Sequence, residues 1–341
     1  MPLLLREADV RALLTMEAAI GIMERALVAF STGRVLQPVR QALAIEPYGG
    51  YLGLMPAHLK DGSGPAVGSA AAGVAGAGPA LGAKAVTFYT ANADRGLPTH
   101  QAVILLWEAA TGSLLAIMDG RLITEMRTAA VSAAAAKALA PEGAAVLALL
   151  GSGVQARSHL EAFRLIRPLR EVRVWSRTPA HRDAFVRWAA ERGVRAVPCA
   201  SSEEAVRGAE LIVTATSSPT PVLEGRWLAP GAHVTAVGAP RPDWRELDTA
   251  AVARARVFVD SRAGALAEAG DILHPLKEGA IDESHLAGEI GEVLAGLRPG
   301  RTAPGEITLF KSLGMAVEDV ATAAYVYAQA RARGAGREVE L

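Results

Sequence analysis

The sequence is poor in cysteine and has no run of basic residues. Cys199 is its single cysteine, which excludes an intrachain disulfide and any metal site built from several cysteines. We expect this thiol to behave as a small buried hydrophobe. The formal net charge is zero, with 35 Lys+Arg against 35 Asp+Glu, and no basic run is available to neutralise a phosphate backbone. Nucleic acid is therefore not an expected partner.

An apolar stretch long enough to span a membrane is also missing. The most apolar segment, 129–150, is interrupted by Lys137, Pro141, Glu142 and Gly143. The first residues, MPLLLREADV, place charges directly after a short apolar run, which is not the order of a signal peptide. We expect a cytoplasmic protein without a membrane partner.

The length and composition are typical of a two-domain globular protein. With 341 residues, 51% of them hydrophobic, the chain is long enough for two cores. Apolar spacing predicts a helix over 16–30 that ends before Gly33. Between the predicted strands, the Gly/Ala-rich segment 61–82 predicts a surface loop or a poorly packed insertion. Short strands that together indicate an antiparallel or mixed sheet are predicted over 39–45, 51–55, 83–89 and 102–107.

The pattern changes at Thr124, where an alanine-rich helix is predicted to run to about Ala140. Strands and helices then alternate, which is typical of a doubly wound parallel sheet of the Rossmann type. The predicted elements are strand 144–150, helix 154–166, strand 171–176 and further strands at 211–216, 233–237 and 257–260. The fold class is thus α/β, with a nucleotide-binding domain over 126–314. Residues 1–125 and 315–341, including a last helix over 316–332, form an α+β substrate-binding and dimerisation domain.

A glycine-rich loop follows the strand at 144–150 and opens the next helix, as a dinucleotide-binding fingerprint requires. Gly151 would permit the tight turn, Gly153 would let the backbone approach a pyrophosphate, and Ala156 would allow close helix packing. The alternative is a glycine turn without a ligand. The residues assigned to this part of the cofactor site are Gly151, Ser152, Gly153, Val154 and Gln155.

The end of the second strand distinguishes NADP from NAD. An NAD site carries an acidic residue there to bind the ribose 2′-OH. This sequence has Ser176, Arg177 and Thr178 instead, with Arg182 just beyond. Two guanidinium contacts would favour NADP(H) over NAD(H) by about a hundredfold; the alternative is that these arginines are solvated surface charges. Further residues assigned to the cofactor site are Thr214, Thr216, Val237, Gly238, Leu313 and Gly314.

Lysine is scarce among the basic residues, and Lys84 lies where a lysine is unexpected. Strand alternation places it on the same face as Val86 and Phe88. A buried lysine needs an anionic partner or a function, because burying the charge alone is costly. We interpret Lys84 as a substrate-site residue, with an edge position or a structural ion pair as the alternative.

Arg127 is predicted in the first turn of the helix that Thr124 would cap, where the helix dipole disfavours a cation. A bound substrate carboxylate would reverse that penalty and could accept two N–H bonds from the guanidinium. The alternative is an ion pair with Glu125 or another carboxylate.

Two further residues are weaker candidates. Arg40, in a predicted strand with Ala42 and Ala44 on the same face, could be a second carboxylate clamp. His100 precedes an apolar strand and could orient a substrate or form only a local hydrogen bond. No His/Glu spacing predicts a metal site.

Together these segments resemble the ornithine cyclodeaminase/mu-crystallin family over nearly the whole chain. The segments that carry the resemblance are QPVR at 37–40, YLGLMP at 51–56, KAVTFY at 84–89, PTHQA at 98–102, MDG at 118–120, RTAAVS at 127–132, GSGVQ at 151–155, RPDWREL at 241–247 and KSLGMAVED at 311–319. The resemblance implies a homodimer whose first domain and final helix hold the substrate and build the interface. It also implies that Arg40, Lys84 and Arg127 bind the substrate carboxylate, and that the segment 312–314 lies near the nicotinamide.

One loop separates the two branches of the family. Cyclodeaminases carry an Asp two residues after the glycine of this loop, whereas here Pro240 follows Gly238 at that distance, and proline cannot exchange a proton. The RPDWREL segment is similar to the mu-crystallin branch, which reduces cyclic ketimines with NADPH, although that branch has Ser at the position of Pro240. The resemblance therefore implies NADPH-dependent reduction of the C=N bond of a small cyclic imino acid.

Two alternatives stay open from the sequence. One is an ornithine cyclodeaminase or an NAD-dependent amino-acid dehydrogenase, with Asp243 recruited in place of the missing Asp. The other is a non-catalytic, crystallin-like protein that binds a small molecule.

Overall fold

The computed structural model describes residues 1–60 and 79–341. The strands are β1 (Leu3–Leu5), β2 (Val35–Leu36), β3 (Gln41–Ile45), β4 (Gly50–Leu59), β5 (Ala80–Tyr89), β6 (His100–Trp107), β7 (Leu114–Asp119), β8 (Val146–Leu150), β9 (Glu171–Trp175), β10 (Ala196–Pro198), β11 (Leu211–Thr214), β12 (His233–Ala236), β13 (Arg256–Val259), β14 (Leu286–Glu289), β15 (Thr308–Lys311) and β16 (Arg337–Glu338). The α-helices are α1 (Glu7–Leu13), α2 (Met16–Ser31), α3 (Arg121–Leu139), α4 (Val154–Ile166), α5 (Pro179–Ala190), α6 (Ser202–Val206), α7 (Thr249–Ala253), α8 (Arg262–Glu268), α9 (Gly270–Lys277), α10 (Ile290–Leu294) and α11 (Ala316–Arg333).

The chain divides into two compact units. The first unit comprises Met1–Arg127 and Gly314–Leu341, and the second comprises Thr128–Leu313. Within the described residues, no helix combines the length and the apolar character that a membrane span needs.

The first unit is built on a mixed sheet with the strand order β16-β1-β7-β6-β5-β4-β2, and β3 pairs with β4. Only β1 and β7 are parallel among these pairs. Helices α2 and α11 pack together, and α11 lies against β4, β5 and β6. Gly82 makes the approach possible, because a Cβ there would lie 3.0 Å from Cγ2 of Val320 on α11. The antiparallel or mixed sheet predicted from the sequence is confirmed.

Two sequence predictions in this unit need correction. The expected loop over 61–82 is wrong at its end, since β5 already begins at Ala80 and pairs with β4 from Leu59 onward. The rest of that prediction, over 61–78, lies outside the described residues. Arg40 was expected inside a strand, but β3 begins only at Gln41, so the alternation argument does not apply to Arg40.

The start of α3 is also different from the prediction. The helix begins at Arg121, because the Asp119 carboxylate accepts a hydrogen bond from the backbone N–H of Leu122 at 2.8 Å. Thr124 is therefore not the cap; its hydroxyl donates to the carbonyl of Gly120 at 2.7 Å inside the first turn. Arg127 consequently lies in the second turn, where the helix dipole acts on it only weakly.

The second unit contains a wholly parallel sheet with the order β10-β9-β8-β11-β12-β15-β13-β14. The chain leaves β8 toward β9 and β10 on one side, and later returns to β11 and β12 on the other. The carboxyl ends of β8 and β11 thus form a topological switch point, where doubly wound sheets bind ligands. This sheet confirms the predicted fold class.

The core of this unit joins the central strands to the helices and loops that follow them. Cys199 belongs to that core and is 1% exposed. Burial raises the pKa of its thiol. The sequence prediction of a buried, hydrophobe-like cysteine is confirmed.

Candidate active site

The glycine-rich loop follows β8 and opens α4, as predicted. Gly151 has φ +120°, and a Cβ there would collide with the carbonyl oxygen of Ala215. Gly153 is the N-cap residue of α4, and a Cβ there would meet no described atom within 4 Å. The first N–H groups of a helix have no acceptor within the helix, so they can bind an anion. The loop therefore fits the pyrophosphate of a dinucleotide, with open space over Gly153.

The residues after β9 differ in their availability for a ligand. Arg177 and Thr178 are exposed, and Ser176 is half-buried. The guanidinium of Arg182 binds the Asp183 carboxylate at 2.9 Å and donates to the carbonyl of Cys199 at 3.1 Å. Of the two arginines assigned to the cofactor, Arg182 has a role in holding α5 to the segment after β10, whereas Arg177 is exposed at the end of β9.

A buried carboxylate, which the sequence reasoning missed, organises the loops after β11 and β12. Oε1 of Glu246 accepts from the N–H and the hydroxyl of Thr216, both at 2.6 Å. Its Oε2 accepts from the hydroxyl of Thr214 and from the N–H of Gly238, both at 2.8 Å. Three residues assigned to the cofactor site are thus held by one side chain. Its position within RPDWREL was the only signal in the sequence.

In the first unit, Lys84 points inward from β5 and is 1% exposed. Its Nζ lies 2.6 Å from Oδ2 of Asp319 and donates to the hydroxyl of Thr124 at 3.3 Å. Burial lowers the pKa of Lys84 to about 8, although the Asp319 charge opposes this shift. The structural ion pair, which was the alternative interpretation of Lys84, is thus present, with Asp319 as the partner.

Asp319 lies in the first turn of α11, and the same turn also binds Arg127. Its Nη1 donates to Oε2 of Glu318 at 2.7 Å, and its Nε donates to Oδ1 of Asp319 at 3.3 Å. Gly314, with φ +82°, lies under the guanidinium, and a Cβ there would collide with Nη1. The alternative interpretation of Arg127, a pair with a carboxylate, is what the structure shows. Glu318 and Asp319 were missed as site residues, although they end the KSLGMAVED segment.

The remaining candidates lie in the same unit. Arg40 is half-buried, and Gln37, three residues earlier, accepts a hydrogen bond from the N–H of Val317 at 2.9 Å. The segment that carries Arg40 is therefore tied to the start of α11. His100 is the first residue of β6, and burial, together with the charges of Lys84 and Arg127, lowers its pKa to about 4. His100 is therefore neutral at physiological pH.

The loop after β12 carries backbone strain. Ala239 has φ +53° and is fully buried, and among the described residues it alone combines a side chain with a positive φ. Pro240 follows, and Asp243 is exposed and paired with Arg241 at 3.1 Å. The hydrogen bond from Arg241 lowers the pKa of Asp243. A solvated, arginine-paired carboxylate is a poor candidate for proton exchange with a substrate amine.

Comparison with known proteins agrees with the motifs on both units. Residues 1–334 match the ornithine cyclodeaminase/mu-crystallin family. The chain belongs to this family. It is 44% identical over 308 residues to the ketimine reductase mu-crystallin of Mus musculus, which covers 89% of this chain and 90% of the mouse protein. The resemblance inferred from the sequence is thereby confirmed.

Solved structures of the family have the same fold. The Delta(1)-pyrroline-2-carboxylate reductase of Thermococcus litoralis, in complex with NADH and L-proline, superposes with a TM-score of 0.92 at 36% identity, covering 99% of this chain and 100% of that one. An archaeal alanine dehydrogenase dimer with bound NAD superposes with a TM-score of 0.90 at 33% identity, covering 100% of this chain and 99% of that one.

Proposed function

We propose that this protein reduces the C=N bond of small cyclic imino acids, such as pyrroline- or piperideine-2-carboxylate, with NADPH. The observation that carries the proposal is the pair of buried cations, Lys84 and Arg127, held by one helix in a chain whose relatives include a ketimine reductase and a pyrroline-2-carboxylate reductase. The first unit binds the substrate, and the second unit binds the cofactor.

Each of the three cations has a role in this proposal. Arg127 and Arg40 bind the substrate carboxylate, because a guanidinium can donate two parallel N–H bonds to it. Lys84 adds positive charge beside them, and Asp319 holds both Lys84 and Arg127 in place. Fixing the substrate in one orientation accounts for much of the rate enhancement expected of such a site. The nicotinamide, when bound, would supply the hydride to the imine carbon. The proton on the product nitrogen comes with the substrate, which binds as the already protonated iminium.

The cofactor preference rests on the residues after β9. No carboxylate occupies the position after Trp175 that would bind a ribose 2′-OH, and Ser176, Arg177 and Thr178 stand there instead. Because Arg182 is engaged with Asp183 and Cys199, the 2′-phosphate would be bound mainly by Arg177. One charge-assisted contact favours NADPH over NADH by about tenfold, less than two arginines would give. The pyrophosphate would bind over residues 151–155.

We also propose a homodimer formed through the face of the first sheet opposite α11. Leu54, Ala85 and Val103 lie side by side across β4, β5 and β6 on that face. Leu54 is 49% exposed and Val103 is 38% exposed. An apolar sheet face of this kind marks an interaction surface, and a second copy would cover it. Other exposed or half-exposed apolar residues on the face are Leu52, Leu81, Leu105, Trp107 and Ile117.

The test is a set of assays that follow oxidation of NADPH or NADH by its absorbance. The substrates are pyrroline-2-carboxylate, piperideine-2-carboxylate and a linear imine formed from pyruvate and methylamine. We expect turnover with the cyclic imines and a lower KM for NADPH than for NADH. Ornithine with NAD, assayed for released ammonia, and alanine with NAD are the contrasts. Ammonia release without reduction of any imine would overturn the proposal in favour of a cyclodeaminase.

A further inference from the structure

Glu246 is a carboxylate with no exposed surface, and four protein donors fill its two oxygens. They are the N–H and hydroxyl of Thr216, the hydroxyl of Thr214 and the N–H of Gly238. Burial and the neighbouring carboxylate of Asp271 raise the pKa of Glu246, and Lys311 with the threonine hydroxyls acts in the opposite direction. A carboxylate so enclosed is not available for direct contact with a ligand.

A second buried layer fixes Glu246 itself. Oδ1 of Asp271 accepts from the backbone N–H groups of Glu246 at 2.7 Å and Leu247 at 2.9 Å. Oδ2 of Asp271 accepts from Nζ of Lys311 at 2.8 Å, and Lys311 also donates to the carbonyl of Gly238. The network therefore joins the ends of β11, β12 and β15 through buried charges on α9 and β15.

The donors of Glu246 lie next to the glycine-rich loop. The N–H of Ala215 donates to the carbonyl of Leu150 at 2.8 Å, and the carbonyl of Ala215 lies against Gly151. The segment 214–216 is thus the direct neighbour of the predicted pyrophosphate loop at the carboxyl edge of the sheet. A dinucleotide whose pyrophosphate lies over Gly153 extends in both directions along the carboxyl ends of the strands. Its adenosine half would lie at β9, and its nicotinamide half would lie at β11 and β12.

We propose that Glu246 is a positioning residue for the nicotinamide half of the cofactor, because it fixes the segments 214–216 and 237–238 in one conformation. This inference rests on the proposed function. It also explains Gly238, because a Cβ at that position would collide with the Glu246 carboxylate and with the carbonyl oxygen of Thr216.

The matched control is Glu210, which lies at the amino ends of the strands of the same sheet. Its Oε2 accepts from the backbone N–H groups of Ala145 at 2.8 Å and Val146 at 3.0 Å, before β8 and at its start. Both glutamates therefore hold backbone N–H groups beside the central strands, but only Glu246 does so at the carboxyl edge. Glu210→Gln shows what the loss of such a carboxylate does at the amino ends of the strands, whereas a positioning effect would belong to Glu246→Gln alone. Because Glu210 is only half-buried and Glu246 is fully buried, a general loss of stability in Glu246→Gln is recognised by equal weakening of both probes.

The experiment is calorimetric titration of each full-length variant with two probes. One probe is NADPH, and the other is 2′-phosphorylated AMP, which is the adenosine half of NADPH without the nicotinamide half. In Glu246→Gln one donor pair faces an amide nitrogen, which cannot accept. The threonine hydroxyl of that pair can rotate to accept from the amide, but the backbone N–H of Thr216 or Gly238 loses its acceptor, so its segment is no longer held in one conformation. We expect the Kd for NADPH to rise about tenfold, equal to about 1.4 kcal/mol, and the Kd for the AMP fragment to stay within about twofold. Glu210→Gln should keep both dissociation constants.

Three results would overturn the inference. One is an unchanged NADPH affinity in Glu246→Gln, the second is equal weakening of both probes, and the third is the same weakening in Glu210→Gln. If Glu246→Gln does not fold, Thr214→Val takes its place, because it removes one donor from the carboxylate at nearly constant volume. The same two dissociation constants are measured, and the same results support or overturn the inference. If the unaltered protein binds neither NADPH nor NADH, the proposed function itself fails, which is a distinguishable outcome.

Discussion

At the scale of single residues, Lys84 shows how far a sequence pattern can reach. Strand alternation predicted that its side chain faces the interior, which is confirmed. The ion pair with Asp319 is the alternative that the sequence left open beside a substrate-site role. The identity of the partner could not be predicted, because Asp319 lies on the last helix and comes to β5 only through tertiary packing. The role of Glu246 could not be predicted for a similar reason, since its four donors come from separate segments of the chain.

The pKa of Lys84 leads to a prediction about pH. Burial favours the neutral amine and lowers the pKa to about 8, so Lys84 is charged at neutral pH and neutral well above that value. If its charge helps to hold the substrate carboxylate, the KM for a cyclic imino acid should rise about tenfold as the pH increases through this pKa of about 8. Steady-state kinetics across this pH range measures the effect.

Lys84→Arg is the control for this profile. Arginine stays charged across the whole range, so the rise in KM that belongs to residue 84 should disappear. Ionisation of the imine itself affects both proteins equally and cancels in the comparison. An identical KM profile in the two proteins would show that the charge of Lys84 does not contribute to substrate binding.

Arg177 gives a second prediction at this scale. Arg177→Ala should raise the Kd for NADPH about tenfold and leave the Kd for NADH unchanged, because only NADPH carries the 2′-phosphate. Titration by nucleotide fluorescence measures both constants. Arg182→Ala is the comparison: its hydrogen bonds to Asp183 and Cys199 predict a lower Tm with a smaller change in the NADPH-to-NADH ratio. A larger change in that ratio for Arg182→Ala would reverse the assignment.

At the scale of elements, periodicity located helices better than capping rules located their ends. The helix after the glycine-rich loop runs over Val154–Ile166, as predicted, because the loop fixes its start. The start of α3 was predicted at Thr124, since threonine is a common N-cap residue. The structure begins this helix at Arg121, since Asp119, the last residue of β7, accepts a hydrogen bond from the N–H of Leu122. A rule that considers single residues could not choose between two acceptable capping residues in one segment.

The position of Asp119 predicts a change in stability. Asp119→Ala should lower the free energy of unfolding by about 1 kcal/mol, because the N–H of Leu122 loses its acceptor. Asp119→Asn, which keeps an acceptor oxygen, should lose much less. Urea unfolding followed by circular dichroism measures both variants. Equal losses in the two variants would mean that the charge of Asp119, and not its hydrogen bond, stabilises the helix.

At the scale of the whole molecule, the alternation of strands and helices was enough to predict the doubly wound sheet, and the short turn-bounded strands were enough for the mixed sheet. The strand order in the first sheet was beyond reach, because β1 pairs with β7 and β16 far along the chain. Sequence patterns record which face of a strand is buried, but they do not record which strand lies beside it.

The exposed sheet face predicts an effect on assembly. Leu54→Glu places a charge in the centre of the proposed dimer interface and should convert the dimer to a monomer, because an unpaired charge there would be desolvated. Sedimentation velocity measures the change. Leu297→Glu is the control, since Leu297 is 69% exposed and belongs to the second unit, so its variant should remain dimeric. A protein that is already monomeric before substitution would refute the interface.

The burial of the single thiol has a practical consequence for labelling experiments. Cys199 is enclosed in the core of the second unit, and its raised pKa keeps it in the unreactive protonated form. Maleimide dyes and nitroxide spin labels should therefore not react with Cys199 in the native protein, but they should react with a cysteine introduced at its surface. Pairs of such labels can report distances in solution without first removing a native cysteine.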